Sequence, residues 1–269
     1  MAIQTLYTAA TGMESLQTRL DIIANNLANV NTTAFKRDRA NFEDTFYLNH
    51  KLPGAEDADG NLTPTGIHVG LGSRVTSVQS DFRQGTFDTT NNDLDIAIEG
   101  KGFFQLKDPG TGEIVYTRAG NFSTNSNGDI VLSSAGTGRL LEPAVKVPPD
   151  TIKIEISPQG LVSVLTSGNP GVLTQAGQID LAIFPNPQGL LKRGENLYSV
   201  TEASGAAVIS TPGIDGLGKL RNGALEQSNV QPVRELIDLI TTQRAFEMNS
   251  QAVQAADQML QLVANLRRF

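Results

Sequence analysis

The stretch LYTAATGMESLQTRLDIIANNLANV, residues 6–30, decides the architecture. Its apolar residues Leu6, Ala9, Met13, Leu16, Leu20, Ile23, Leu27 and Val30 follow one another in steps of three and four without a break. That spacing holds them on one stripe of an α-helix, the heptad seam of helices that lie side by side. Gln4, Glu14, Gln17, Thr18 and Asp21 fall on the other face. The pattern predicts one helix over residues 3–30, roughly 40 Å long at the standard rise. A helix with a single narrow apolar stripe must bury it against other helices.

The end of this helix is unusual. Asn25, Asn26, Asn29 and Asn31 crowd its last turns, although Asn amides compete for backbone hydrogen bonds and weaken helix interiors. A locally satisfied cap and turn explains one or two of them. On the residues alone, a fraying helix end that turns into a loop accounts for the rest.

The other end of the chain repeats the heptad pattern. Phe246, Val253 and Leu260 recur every seven residues, with Ala245, Ala252, Met259 and Leu266 beside them, and Ala256 with Val263. Val233, Leu236, Ile237 and Ile240 extend the stripe upstream. Ser228 and Asn229 are candidate caps and Pro232 suits a first turn, so a second helix is predicted over residues 230–266. Between the helices the period changes to two. LDIAIE (94–99), TIKIEI (151–156) and QIDLAI (178–183) read as half-buried strands. Asn127-Gly128, Asn222-Gly223, Pro158-Gln-Gly160 and Asp108-Pro-Gly110 read as turns between them.

The expected fold is therefore α+β: long N- and C-terminal helices forming a coiled-coil-like core, with an inserted, mainly antiparallel β domain. Residues 1–35 and 226–269 make the helical domain and residues 75–225 the β domain. Residues 36–74 form an extended, loop-rich excursion linking the helices to the β domain; its 51–73 portion holds five glycines and two prolines. Each helix carries more apolar surface than a two-helix hairpin can cover, which favours assembly.

Composition narrows the function. The chain has 269 residues, enough for a sizeable core. Its formal charge of −7, with no Lys/Arg run, argues against a nucleic-acid binder. With no Cys, disulfides, thiolate chemistry and Cys-ligated metals are excluded. The N-terminus has neither the basic start nor the apolar core of a secretory signal, and no apolar run is long enough to span a bilayer. His50 and His68 form no metal-binding pair. GxSxG and the phosphate-loop pattern are absent, and Gly66, Gly70 and Gly72 do not make a dinucleotide fingerprint. Asp57-Ala-Asp59-Gly60-Asn61 is a poor calcium loop, with its Gly too early and His68 at the twelfth position. Asp93 and Asp95 read as a solvated strand edge rather than a paired-carboxylate site. No enzyme activity, metal or cofactor is expected; the rival class is a β-fold hydrolase with coiled-coil termini, which would need convergent carboxylates in a cleft.

Several motifs carry a resemblance. TAATGMESLQTRLDII (8–23) with ANNLANVNTTAFKR (24–37), DLDIAIEGKGFFQL (93–106), YTRAGNFSTNSNGDIV (116–131) and SNVQPVRELIDLITTQRAFEMNSQAVQAADQML (228–260) run through the chain in one order. Together the set resembles the flagellar rod and hook family. FKRDRANFEDTFY (35–47) with the excursion after it, and NLYSVTEASGAAVISTPGIDG (196–216), point within that family to the distal rod. A proximal rod or hook subunit is the alternative, although a hook member would be longer and carry a second outer β domain.

The resemblance implies a structural subunit of the bacterial flagellum, exported without a cleaved signal through the flagellar type III apparatus. It implies polymerisation into a hollow helical tube, a homo-oligomer of many copies that crosses the periplasm as a drive shaft. The helices would line the channel with the β domain outside them. Partners implied are the proximal rod proteins, the hook protein and the surrounding P- and L-ring proteins. The expected subunit interface combines the seam with the asparagines: Leu6, Met13, Leu16, Leu20, Ile23, Asn25, Asn26, Leu27, Asn29 and Val30 on the first helix, and Phe246, Val253, Met259, Leu260 and Val263 on the second. The 51–73 segment is expected to reach neighbouring subunits.

Overall fold

In the computed structural model, which describes residues 2–54, 64–133, 136–168 and 172–266, the heptad stretch forms α1, Ala2–Ala28. The C-terminal repeat forms α2, Pro232–Leu266. Pro232 is the first helical residue of α2, where its missing N–H costs nothing. Glu235 sits in the first turn, with its negative charge at the positive end of the helix. The expected caps do other work. The Ser228 hydroxyl accepts from the Val230 amide, and the Asn229 side chain bonds Arg37, Asp81 and Arg83.

The chain forms two compact units. The helical unit comprises residues 1–28, 38–80 and 231–269; the β unit comprises residues 29–37 and 81–230. In the helical unit α1 packs against α2. In the remaining segment of this unit, extended chain pairs into two ladders. Strand Asp38–Asp44 pairs antiparallel with Ser73–Ser80, with a bulge at Asn41/Phe42. Tyr47–Lys51 then pairs antiparallel with Ile67–Gly70. Backbone bonds from Thr45 to Gly72 and from Leu71 to Phe46 join the two ladders, and the first ladder lies against α1. Residues 55–63, which include the calcium-loop lookalike Asp57–Asn61, lie outside the described residues.

Among the described residues, all strand pairing in the β unit is antiparallel. A nine-stranded sheet runs through Phe103–Lys107, which pairs with Ile114–Thr117 on one side and Leu140–Glu142 on the other. A three-stranded sheet consists of Thr151–Ile156, Leu161–Thr166 and Leu173–Gln178. Two short ladders complete the unit, Ile96–Glu99 with Lys219–Asn222 and Phe87–Thr89 with Ala224–Glu226.

The main core gathers Ile96, Ile98, Phe104, Leu106, Ile130, Leu132, Leu141, Val162, Val164 and Leu181. A second cluster is aromatic, with Phe103, Tyr116, Phe184 and Tyr198 meeting mostly edge to face at centroid distances such as 4.9 and 5.6 Å.

Two strand expectations need correction. Ile96, Ala97 and Ile98 are all fully buried, so this segment is covered on both faces rather than one. QIDLAI is not one strand: Leu173–Gln178 ends at its first residue, and Leu181–Ile183 belongs to the other sheet. The turn signals hold their places. Gly128 (φ 79) turns between Phe122–Thr124 and Ile130–Leu132, where the Asn125 side chain accepts from the Asn127 and Asp129 amides. Gly223 (φ 67) moves the chain from one short ladder to the other rather than closing a hairpin.

Candidate assembly surfaces

The inward face of α2 runs Glu235, Leu239, Thr242, Phe246, Asn249, Val253, Ala256 and Leu260, in steps of three and four. Glu235, Thr242 and Ala256 are buried, and Leu239, Phe246, Asn249, Val253 and Leu260 half-buried. On α1, Ala9 and Ile23 are buried, and Leu6, Met13, Leu16, Leu20 and Leu27 half-buried. The heptad spacing therefore does select the inner faces, but on α2 half of that face is polar or small. An ideal Cβ on Gly12 would stand 3.2 Å from Nδ2 of Asn249, so the helices approach closely there.

The most apolar residues of α2 lie elsewhere. Val233, Leu236, Ile237, Ile240, Met248, Met259 and Leu262 are exposed by 46% to 70%. They lie on the side roughly opposite Glu235, in a patch from Val233 to Ile240 and a second at Met259 and Leu262, with Arg244, Glu247 and Gln251 between. The upstream residues Val233, Leu236, Ile237 and Ile240, expected to extend the seam, are all exposed on this outer side. Met259 belongs to it as well, and the Val263 side chain lies outside the described residues.

The asparagines at the end of α1 also divide. Asn26 is 1% exposed. Its Oδ1 accepts from the Asp38 amide at 2.9 Å, and its Nδ2 donates to the Asp38 carbonyl at 2.9 Å and to Oε2 of Glu235 at 3.3 Å. It is fully used inside the helical unit, so it leaves the interface set. Ile23, 4% exposed, leaves it for the same reason. Asn25 is exposed. In the β unit, Asn29 and Val30 are half-buried and Asn31 is exposed; Asn29 Oδ1 accepts from the Thr32 hydroxyl at 3.0 Å. The two-part ladder adds apolar surface of its own, with Phe46, Tyr47, Leu48, Leu52 and Ile67 exposed.

The β unit buries an ion cluster that sequence reasoning missed. Lys36 Nζ lies 2.6 Å from Glu226 Oε1 and donates to the Arg83 carbonyl at 2.9 Å. Arg118 Nε lies 2.8 Å from Glu226 Oε2, and its other nitrogens donate to the carbonyls of Ile98, Gly100 and Gly102. The Gly85 amide donates to Glu226 Oε1 at 3.0 Å. Burial, with the Arg118 charge beside it, pushes Lys36 down to about 8 against the pull of Glu226. Burial alone would push the Glu226 carboxyl up; Arg118, Lys36 and the Gly85 amide outweigh it and hold the group below the ordinary carboxylate value. Lys36 and Glu226 are 190 positions apart, so no local pattern announces the pair.

The carboxylates and histidines singled out in the sequence sit as follows. Asp95 is buried rather than solvated, accepting from the Thr90 hydroxyl at 2.6 Å and from Asn92. Asp93 Oδ2 accepts from the Ile154 amide at the edge of an open cleft of about 430 Å³. His68 is exposed and its ring meets the Asn49 side chain across its ladder. Among the described residues no group of three His, Asp or Glu side chains could hold a metal, and no helix is long and apolar enough to cross a membrane.

Three family models match the chain: "Flagella basal body rod protein" over residues 6–36, "Flagellar hook protein FlgE/F/G D1 domain" over 97–164, and "Flagellar basal body rod FlgEFG protein C-terminal" over 221–266. The flagellar basal-body rod protein FlgG of Caulobacter vibrioides is 46% identical over 98% of this chain and 100% of its own length. The chain belongs to the flagellar basal-body rod protein FlgG family. The FlgG of Borreliella burgdorferi is 42% identical over 99% of both chains, and that of Bacillus subtilis 36% identical over 99% of this chain and 100% of its own. The chain is a structural subunit of the flagellar distal rod, located in the flagellar basal body, where it assembles with other flagellar components. FlgG is a structural family, not an enzyme family. Each of the three matched regions supplies one member of the ion cluster: Lys36, Arg118 and Glu226 in turn.

Proposed function

We propose that copies of this chain polymerise through their terminal helices into a hollow helical tube that carries torque across the periplasm to the hook. The observation that carries this reading is the apolar patch Val233, Leu236, Ile237 and Ile240 at the start of α2, which the chain's own fold leaves exposed, with Met259 and Leu262 beyond the polar Arg244, Glu247 and Gln251 on the same side. A patch of that kind on one helix is what a further helix covers in side-by-side packing. Contacts repeated head to tail without closing give an open filament, in which each copy touches several others. The coiled-coil-like core is then a property of the assembled tube, built from α1 and α2 of several copies.

In this reading Leu6, Met13, Leu16, Leu20, Leu27, Phe246, Val253 and Leu260, half-buried in one chain, are completed by neighbours, and Asn25, Asn29 and Val30 take part where α1 ends. The exposed side chains of the 38–51/67–80 ladder pack on adjacent copies. The tube meets proximal rod proteins at one end and the hook protein at the other, with P- and L-ring proteins around it. The subunits reach it through the flagellar type III export apparatus without a cleaved signal. Electron cryo-microscopy of hook–basal bodies from the source bacterium tests the reading. The expected result is density for this chain between proximal rod and hook, with both helices at the channel. Density at the channel lacking α2, or absence of the chain from the axis, overturns it.

A further inference from the structure

The chain crosses between its two units after residues 28, 37, 80 and 230. Three of these crossings have their β-unit ends tied to one another. The Asp81 amide donates to the Arg37 carbonyl at 2.8 Å. The Arg37 amide donates to Asn229 Oδ1 at 2.8 Å. Asn229 Nδ2 donates to the Asp81 carbonyl at 2.7 Å, closing the ring, and to the Arg83 carbonyl at 3.0 Å.

The same three segments meet again around Glu226. Its backbone carbonyl accepts from the Ala34 amide at 2.7 Å, while its carboxylate takes Lys36, Arg118 and the Gly85 amide. Phe87–Thr89 and Ala224–Glu226 pair as strands just inside two of these crossings, and the Asn229 amide donates to the Phe35 carbonyl at 3.4 Å. The crossings themselves lie beyond that ladder, where the Asn229 side chain bonds both Arg37 and Asp81. Asn suits the ring because one amide group accepts and donates at once. The buried carboxylate suits the second meeting because breaking it would strand two buried cations without an anion.

We propose that Asn229 and Glu226 form a clasp that holds the three crossings in one fixed arrangement, so that load entering the β unit along any one of them is shared by all. The clasp stands on the geometry; the load-sharing rests on the reading of the chain as a torque-carrying rod subunit.

Native-state hydrogen exchange on the purified full chain tests the clasp, comparing wild type with Asn229→Asp and Asn229→Ala. Asn229→Asp keeps an acceptor for the Arg37 amide but loses both donors. In the wild type the Arg37 and Asp81 amides are expected to share one level of protection. In both variants they exchange roughly tenfold faster or more, while Phe104 and Leu106 in the core are unchanged. Independent, loop-like exchange of these amides in the wild type overturns the clasp whatever the variants do, and so does unchanged exchange in the variants.

The mechanical half is read in cells carrying Asn229→Ala as the sole copy. The expected result is wild-type numbers of hook–basal bodies, normal rotation in dilute medium and at least a twofold loss of speed in viscous medium. A wild-type response to viscosity overturns load-sharing. Failure to assemble, alongside the expected exchange result, shows that the clasp is needed earlier, which supports the fixed arrangement. Absence of the wild-type chain from hook–basal bodies overturns the rod reading and leaves the exchange result standing.

Discussion

Glu226 concentrates the chemistry of the β unit, because one carboxylate faces two buried cations. Removing its charge leaves Lys36 and Arg118 buried against a neutral group, a change worth about 3–5 kcal/mol. Glu226→Gln is therefore expected to lower the melting temperature of the β unit by on the order of 10 °C at neutral pH, measured by calorimetry. The sign of the pH dependence follows from the depressed carboxyl. Its stabilisation is complete above the ordinary value of 4.5 and is lost as pH falls through its lower folded value. The gap between wild type and Glu226→Gln should accordingly narrow below about pH 4; a gap that stays constant down to pH 2 would sink this account. Lys36 has the same sign at higher pH: the folded chain releases its proton near 8 and the unfolded chain only near 10.5, so stability grows with pH across that interval as the burial penalty on its charge is relieved. Gly72 is a second residue with a single-atom argument. Its φ is +113°, and a Cβ there would lie 2.0 Å from Oγ1 of Thr11 on α1. Gly72→Ala is expected to cost the helical unit about 1–3 kcal/mol, seen as faster exchange of α1 amides with the β unit unaffected.

At the scale of elements, α2 has two working faces with different chemistry. The inner one carries Glu235, Thr242 and Asn249 among its apolar residues, and the outer one carries Val233, Ile237 and Ile240. The double substitution Ile237→Asp/Ile240→Asp is expected to leave the circular dichroism and melting of the single chain within a few degrees of wild type, since both side chains are exposed. It should abolish rod assembly, scored as hook–basal bodies ending before the distal rod. Full assembly would show that this face is not used. The two faces also explain what could be read in advance. Both helices were legible because heptad spacing survives in any environment. The inner face of α2 was legible only in its downstream half, at Phe246, Val253, Ala256 and Leu260; its upstream part, with Glu235 and Thr242, looks like a solvated side. The ladder of Asp38–Lys51 with Ile67–Ser80 was hidden by its bulge, its charges and the glycines and prolines next to its turn. The Lys36–Glu226–Arg118 cluster had no local signal at all, since burial and long-range pairing create it.

For the whole molecule, the contrast between the units is one of core. The β unit encloses many fully buried side chains, whereas most of the α1 seam is only half-buried in the single chain. Isolated helices without a covered face are marginal in water. The free subunit is therefore expected to show two tiers of hydrogen exchange, with α1 and α2 amides exchanging at least about a hundredfold faster than Phe104, Leu106 or Val164. Equal protection throughout would contradict a helical unit completed only by neighbours.

The helical unit is assembled from three pieces that the sequence keeps far apart, and Asn26 meets Glu235 across 209 positions. That arrangement makes the unit a timer. As the chain emerges from a ribosome, its N-terminal residues appear first. α1 then waits without its partner until residues beyond 231 have followed. The β unit needs nothing past Val230 and can close beforehand. The sticky outer side of α2 is thus the last surface to take shape, after everything else about the subunit has been settled.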